Sequence, residues 1–403
     1  MGRGIIKINV IITVLILLLL ASEIHAQVKI DSKVFGYVGY ETNPYRSPDT
    51  LYDYKIHIGY SETDMLKPDM YAEYGYKIGL TKTWRAKFSL ELSSDWQNKN
   101  YFHETILNTG HFNAGLAPSL KLSKALTIGI KYEFEKRAEV DVDVLGDQTR
   151  YVFSYIQHAG TIFVKTKPWK KNIANIYYTF DQKQYSPAYT NYSGVGNIPD
   201  EIYLDNIQHT LDLRLIQGLS QRSSLAVKII AYDREYKYLP SIDSLLSPNN
   251  SSMRHYQDFN AKLTYDNKIN NFIEVKPYVR FERRNDLFND YYSFNLYEGG
   301  MLIDLSYRKF SLELNGWYEL YKYDKLEAPT NSIPYPVLKY QYYNANPVLK
   351  YKILKSFDID FSASYVLRVS NANRVTWGYR RGYENSLYRI GLIFYPFWKT
   401  RIN

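Results

Sequence analysis

Apolar and polar residues alternate one by one along much of this chain, in runs of ten or more. In WRAKFSLELSSDW (84–96), Trp84, Ala86, Phe88, Leu90, Leu92, Ser94 and Trp96 fall on one side, and Arg85, Lys87, Ser89, Glu91, Ser93 and Asp95 on the other. LTIGIKYEFE (126–135) sets Leu126, Ile128, Ile130, Tyr132 and Phe134 against Thr127, Gly129, Lys131, Glu133 and Glu135. IEVKPYVRFE (273–282) sets Ile273, Val275, Pro277, Val279 and Phe281 against Glu274, Lys276, Tyr278, Arg280 and Glu282. FSLELNGWYEL (310–320) and FDIDFSASYVL (357–367) repeat the theme. Successive side chains of a strand point to opposite faces, so each run is a strand with one greasy and one charged side.

The connections between runs alternate in length. Short polar turns are expected near 82–85, 123–125, 167–172, 219–223, 266–270, 307–309 and 354–356. Longer, turn-rich links fall around 97–108, 138–152, 185–202, 239–251, 326–336 and 372–381, with a shorter one near 287–290. Seven short-turn hairpins give fourteen strands. A first strand near 33–42 and a last near 384–397 raise the count to about 16, within 14–18, and 52–60 is read as part of the first long link. Short turns at one end and long loops at the other are the habit of outer-membrane barrels. The expected fold is all-β: a transmembrane antiparallel up-and-down β-barrel.

A soluble sandwich also alternates, but its strands usually run about 5–6 residues. Around sixteen long strands with one greasy face each would need an implausibly large protein core. Lipid removes that need, and in lipid only a closed sheet pairs every backbone N–H and C=O. From Trp84 to Trp96 a single strand would cover about 40 Å, or about 28 Å along the membrane normal at a tilt near 45°. Trp84 and Trp96 are therefore expected to mark the two aromatic girdles.

The first 26 residues place Arg3 and Lys7 ahead of an apolar stretch at 10–21, with Ala26 as the cleavage position before Gln27. This is the layout of a secretory signal peptide, and the stretch is short for a spanning helix. The expected division is a signal peptide, 1–26, and a barrel, 27–403. Tyrosine, with 42 residues, suits strands whose surroundings change from apolar to wet. There is no cysteine, so neither a disulfide nor a lipid-modified N-terminus is available. The net charge of +9 is spread in both signs, which argues against a nucleic-acid footprint.

The stretch GYETNPYRSPD (39–49) resembles the G-Y-D-S-N-x-x-R-x-P signature near the first strand of β-barrel porins of the porin-2 type. Gly39, Tyr40, Asn43, Arg46 and Pro48 carry the match, and Glu41-Thr42 replace Asp-Ser. The resemblance continues weakly through 70–80 and covers about a fifth of the chain after the leader. It implies an outer-membrane barrel of a Gram-negative bacterium, of a family often associated with exopolysaccharide systems. The Ala26-Gln27 junction and the abundance of Tyr and Asn resemble Bacteroidetes-type exported barrels. YRIGLIFYPFWKTRIN (388–403) resembles the signal read by the barrel-assembly machinery, through Gly391, Phe394 and Phe397. Six residues follow Phe397, whereas that signal normally ends on an aromatic residue.

Candidate chemistry is sparse. His25, His57, His103, His111, His158, His209 and His255 form no H-x-H or i, i+4 ligand pair, and no thiolate is present. EVDVDVLGD (139–147) superficially resembles a calcium loop, but Leu145 stands where a ligand is needed and no Glu closes the loop at 152. The charged strand faces are the stronger signal. Arg85, Lys87, Glu91, Lys131, Glu133, Glu135, Lys276, Arg280, Glu282, Asp358 and Asp360 are expected to face the lumen, as in a water-filled or salt-bridged interior.

These observations lead to a porin-like channel that passes polar solutes passively and needs no cofactor. The alternative is a non-conducting barrel serving as a surface anchor or as partner of an export or assembly system, with loops 185–202, 239–251 and 326–336 carrying the binding. An outer-membrane enzyme is the third reading. The expected partners are outer-membrane lipid and lipopolysaccharide, the barrel-assembly machinery, and further copies in a homo-oligomer.

Overall fold

The computed structural model describes residues 26–44, 68–84, 87–103, 108–138, 140–141, 151–152, 154–169, 171–185, 188–189, 201–202, 204–242, 248–288, 290–328, 334–372, 382–396 and 400–402. Sixteen strands form one sheet: β1 (Ala26–Glu41), β2 (Asp69–Trp84), β3 (Phe88–Tyr101), β4 (Thr109–Lys121), β5 (Leu126–Ala138), β6 (Tyr155–Thr166), β7 (Asn172–Tyr185) and β8 (Asn206–Gly218). They continue as β9 (Ser223–Ile242), β10 (Pro248–Lys268), β11 (Ile273–Asp286), β12 (Phe294–Tyr307), β13 (Phe310–Glu327), β14 (Val337–Leu354), β15 (Phe357–Ser370) and β16 (Tyr383–Phe394). Each pairs antiparallel with the next, and β16 returns to β1 through Glu41↔Leu387 and Val34↔Phe394. Thr400–Ile402 prolongs that pairing along β1. The sheet closes on itself, so the expected sixteen-strand up-and-down barrel is the fold found.

Short turns join the strands at the end that holds Ala26 and Phe394, and longer connections lie at the other. One of the two-residue connections, Arg308-Lys309 between Tyr307 and Phe310, holds Arg308 at φ 54°. A two-residue hairpin that follows the strand twist needs that left-handed geometry at its first central position. Two-residue ladders (Val140–Asp141 with Tyr151–Val152, Ala188–Tyr189 with Glu201–Ile202) decorate the long-loop end.

The alternation sorts residues as period-2 geometry requires. On β5, Ile128, Ile130 and Tyr132 face out, and on β11 Val279 does the same; Ile130 and Val279 are each 58 % exposed. Scattered exposed apolar residues are ordinary, but a band running round a closed sheet is not a water-facing surface. Outward aromatics bound that band. Towards the long loops lie Tyr74–Trp96, Phe112–Phe134, Phe281–Tyr297 and Tyr318–Tyr343, with ring centroids 5.2–6.2 Å apart. Towards the short turns lie Trp84–Phe88, Phe272–Tyr307, Phe310–Tyr351 and Phe357–Phe394, at 4.8–6.5 Å.

Several expected boundaries move. The run 84–96 is not one strand. Trp84 ends β2 and pairs with Phe88, which begins β3, while Lys87 donates its backbone N–H to the Trp84 carbonyl across the turn. The two tryptophans therefore lie in opposite belts on neighbouring strands. The β3 segment from Phe88 to Trp96 spans about 26 Å along the strand, or about 20 Å along the barrel axis at the usual tilt. The first strand starts at Ala26 rather than 33, and the last ends at Phe394 rather than 397. The links expected at 97–108, 239–251 and 326–336 are shorter, because β3, β9, β10 and β13 keep pairing beyond the outward apolar residues. Backbone pairing outlasts side-chain alternation there. The turn expected at 266–270 moves to 269–272 for the same reason.

Inside, aromatic rings cover glycines of neighbouring strands, among them two at the seam. Tyr71 covers Gly39 and Tyr37 covers Gly391, each within the space a Cβ would need. A glycine there is the condition for the ring to reach the wall.

Candidate functional site, the inner wall

The inner face carries the charges. At the closure seam, Glu41 accepts from Lys99 Nζ at 2.7 Å, Tyr101 Oη at 2.5 Å and Asn385 Nδ2 at 2.7 Å. One step lower, Glu73 accepts from both Arg389 Nη1 (2.9 and 3.1 Å) and Gln97 Nε2 (3.1 Å), while Arg389 Nε donates to Ser362 Oγ at 2.8 Å. The Arg389 guanidinium also lies 4.4 Å from the Tyr37 ring centroid. These residues come from β1, β2, β3, β15 and β16, so the seam is tied by side chains as well as by its backbone ladder.

The wall from β3 to β9 is different in kind. Lys131 pairs with Glu133 at 2.6 Å, and Arg214 with Asp212 at 2.6 Å, with Lys228 3.8 Å from the same carboxylate. A polar cavity of about 450 Å³ opens here, among Glu91, Ser93, Thr161, Thr179 and Thr210 and over the Phe163 and Tyr177 rings. The side chains of Arg214, Lys228 and Lys131 are 47, 40 and 38 % exposed although they point into a closed barrel. Towards the long loops of the same wall, His111 sits between Asp95 (3.2 Å) and Glu135 (3.3 Å), and Tyr155 donates to Glu135 at 2.6 Å.

On the remaining wall, Arg280 reaches Glu282 (2.9 Å) and Glu298 (2.8 Å), Lys276 reaches Glu274 (3.0 Å) and Asp304 (3.1 Å), and Arg284 reaches Asp258 (2.9 Å). Of the lumen candidates, Glu91, Lys131, Glu133, Glu135, Lys276, Arg280, Glu282, Asp358 and Asp360 occupy inward positions, on β3, β5, β11 and β15. They form no single cluster. Lys87 is a correction: it donates its backbone N–H to the Trp84 carbonyl where the chain passes from β2 to β3, which leaves it exposed in a turn rather than on the wall. Arg85 lies outside the described residues.

The other candidates scatter according to parity. Gly39 lies under Tyr71, Tyr40 faces out at 40 % exposure, and Asn43 donates its Nδ2 to the Glu384 carbonyl at 3.0 Å, stitching β1 to β16. Arg46, Pro48 and Phe397 lie outside the described residues, as do His25, His57, residues 1–25 and most of 139–147. Gly391 lies under Tyr37, and Phe394 faces out. His158 and His209 each face out beside a Tyr-x-Phe pair, bonded to Tyr132 and Tyr178 at 2.7 Å. Inward residues that the alternation did not single out include Lys183, Arg234 and Arg254. Their signal was available in Tyr232-x-Arg234-x-Tyr236 and Arg254-x-Tyr256, basic and aromatic residues sharing one parity near a loop.

The chain matches no family model and no curated protein by sequence. Solved structures do align with it over most of its length. CdiB from Acinetobacter baumannii aligns at 9 % identity over 90 % of this chain and 60 % of that one, with a TM-score of 0.47. The copper transporter OprC aligns at 8 % identity over 86 % and 62 %, with a TM-score of 0.45. A mutant of the Rh. blastica porin aligns at 10 % identity over 91 % and 99 %, with a TM-score of 0.35. The chain thus spans about three fifths of the length of CdiB and OprC. The fold itself, an all-β closed barrel of sixteen antiparallel strands, rests on the strand pairing.

Proposed function

We propose that this protein is an outer-membrane channel through which polar solutes pass passively. One observation carries the reading: charged side chains that face into a closed barrel, Arg214, Lys228 and Lys131, stand open to water beside a polar cavity. Sixteen strands enclose a lumen wide enough for an aqueous path, whereas eight are filled by their own side chains. The apolar outer band and its two aromatic belts support insertion in a bilayer. In this reading the long loops face outwards from a Gram-negative cell, the short turns face the periplasm, and residues 1–26 are the export signal. Gly39, Tyr40 and Asn43 support a porin-2-type relationship, and Gly391 with Phe394 supports handling by the barrel-assembly machinery.

Planar-bilayer recording tests the reading. Refolded protein gives discrete conductance steps if the lumen is open from end to end. Insertion without steps would sink the channel and leave the surface anchor, a reading favoured by the hairpin of β9 and β10, whose strands of 20 and 21 residues outrun their neighbours.

A further inference from the structure

Near the long-loop mouth, β7 to β10 bring three cations onto one part of the inner wall. Lys183 is paired in register with Asn206, and Asn206 with Tyr236. Arg234 lies between Gln208 and Tyr256, and Arg254 follows on β10 two positions from Tyr256. All three are part-buried. Arg214, Arg280, Arg284 and Arg389 each hold a carboxylate at 2.6–2.9 Å. Among the described residues, no carboxylate stands within ion-pair distance of Lys183, Arg234 or Arg254.

Their surroundings are aromatic instead. Lys183 Nζ lies 4.7 Å from the Tyr155 ring centroid, and the Arg254 guanidinium 4.4 Å from that of Tyr292. Arg234 Nε donates to Gln208 Oε1 at 2.7 Å, with its guanidinium 5.4 Å from the Tyr232 centroid. Among the described residues, Arg254 Nε has no acceptor. Lys183 and Arg234 repel each other. The nearby acids are largely engaged elsewhere: Asp258 holds Arg284, Glu135 holds His111, and Asp286 accepts the N–H groups of Phe288 and Tyr292. Asp181, two residues from Lys183, offsets part of the charge.

Part-buried cations without counter-charges cost stability unless something answers them. Two guanidinium forks, an ammonium and tyrosine hydroxyls are the donors that bind an oxyanion. We propose that this patch binds the phosphate or carboxylate group of a small anionic solute entering from the long-loop side. The proposal names a solute class for the channel and rests on that reading for transport, though not for binding.

Calorimetric titration of the refolded full-length protein in micelles with inorganic phosphate, and separately with acetate, tests it. Saturable binding is expected for at least one of them. The triple variant Lys183→Gln, Arg234→Gln, Arg254→Gln should weaken it by about tenfold or more. A variant with equal charge loss at the short-turn end (Lys121→Gln, Lys124→Gln, Lys167→Gln) should bind as the parent does. Heat-modifiable gel migration reports whether each variant is folded. If the triple variant is not, Arg254→Gln alone serves, because its Nε gives up no acceptor within the described protein. Absence of saturable binding to either anion, or equal weakening in the short-turn variant, overturns the site. Binding without conductance sinks the channel and keeps the site; conductance without binding does the reverse.

Discussion

On the seam wall, Arg389 is gripped from three sides, by Glu73, by Ser362 and by the face of Tyr37. On the wall opposite the seam, Arg214 shares Asp212 with Lys228, and nearly half of its side chain is open. Both arginines sit on inward positions of the same barrel, each beside a carboxylate. Both also lie over a tyrosine ring, Tyr37 for Arg389 and Tyr177 for Arg214; what differs is how many strands the hydrogen bonds of each one join. Arg389 on β16 bonds to β2 and β15, across 316 and 27 residues of sequence, whereas Asp212 and Arg214 are neighbours on one strand. Inner charges therefore stand in two arrangements: at the seam they tie strands far apart in sequence, and at the cavity they stay exposed beside a partner on their own or the next strand.

The sharpest way to break that contrast is Arg389→Met. Glu73, whose side chain is only 8 % exposed, would keep Gln97 and lose its counter-charge. Removing one partner of a buried pair is costly, and here the expected loss is about 3 kcal/mol in urea unfolding from micelles. A loss below about 1 kcal/mol would put the seam on the same footing as a surface ion pair.

Gly39→Val should follow, at about 2 kcal/mol. Tyr71 is fully buried over that glycine, so the new Cβ forces the ring off the wall. The loss should be partly recovered in the double variant with Tyr71→Ala, because the clash goes with the ring. Smaller again is Asn385→Ala. It removes an amide donor to Glu41 and the acceptor of the Asn43 N–H, for an expected 1–2 kcal/mol, about the cost of leaving buried groups unpaired. The same unfolding measurement ranks all three.

What could be read from the residues themselves follows the same division. The facing of Ile130 and Lys131 needs only period 2, and so do the strand count and the outward belts. Partners need register. Nothing near Glu73 announces Arg389, because the pair exists only once fifteen hairpin registers have brought β16 back to β1. The turn expected near 82–85 was misplaced for a related reason: Trp84 and Phe88, which pair across it, keep the outward parity, so alternation alone runs straight through. Lys183, Arg234 and Arg254 escaped because their strands reach beyond the apolar band, where inward and outward residues are both polar and parity stops being visible.

The smallest effect on stability, and the most informative for the cavity wall, belongs to Arg214→Met. Asp212 would still have Lys228 at 3.8 Å, and the arginine is nearly half exposed, so solvent screening leaves an expected cost of about 0–1 kcal/mol. In a conducting barrel the same substitution acts on ions. It removes one fixed positive charge beside the open cavity and should move the reversal potential in a salt gradient towards cation preference. The shift should fade as ionic strength rises and the screening length shortens from about 10 Å at 0.1 M to about 3 Å at 1 M. The double variant Arg389→Met, Glu73→Gln, which removes a locked pair without changing the net charge of the wall, should leave selectivity nearly where it was. Should the two swap roles, Arg214 fixing the fold and Arg389 setting selectivity, the assignment of the seam as structural and the opposite wall as pore lining would be reversed.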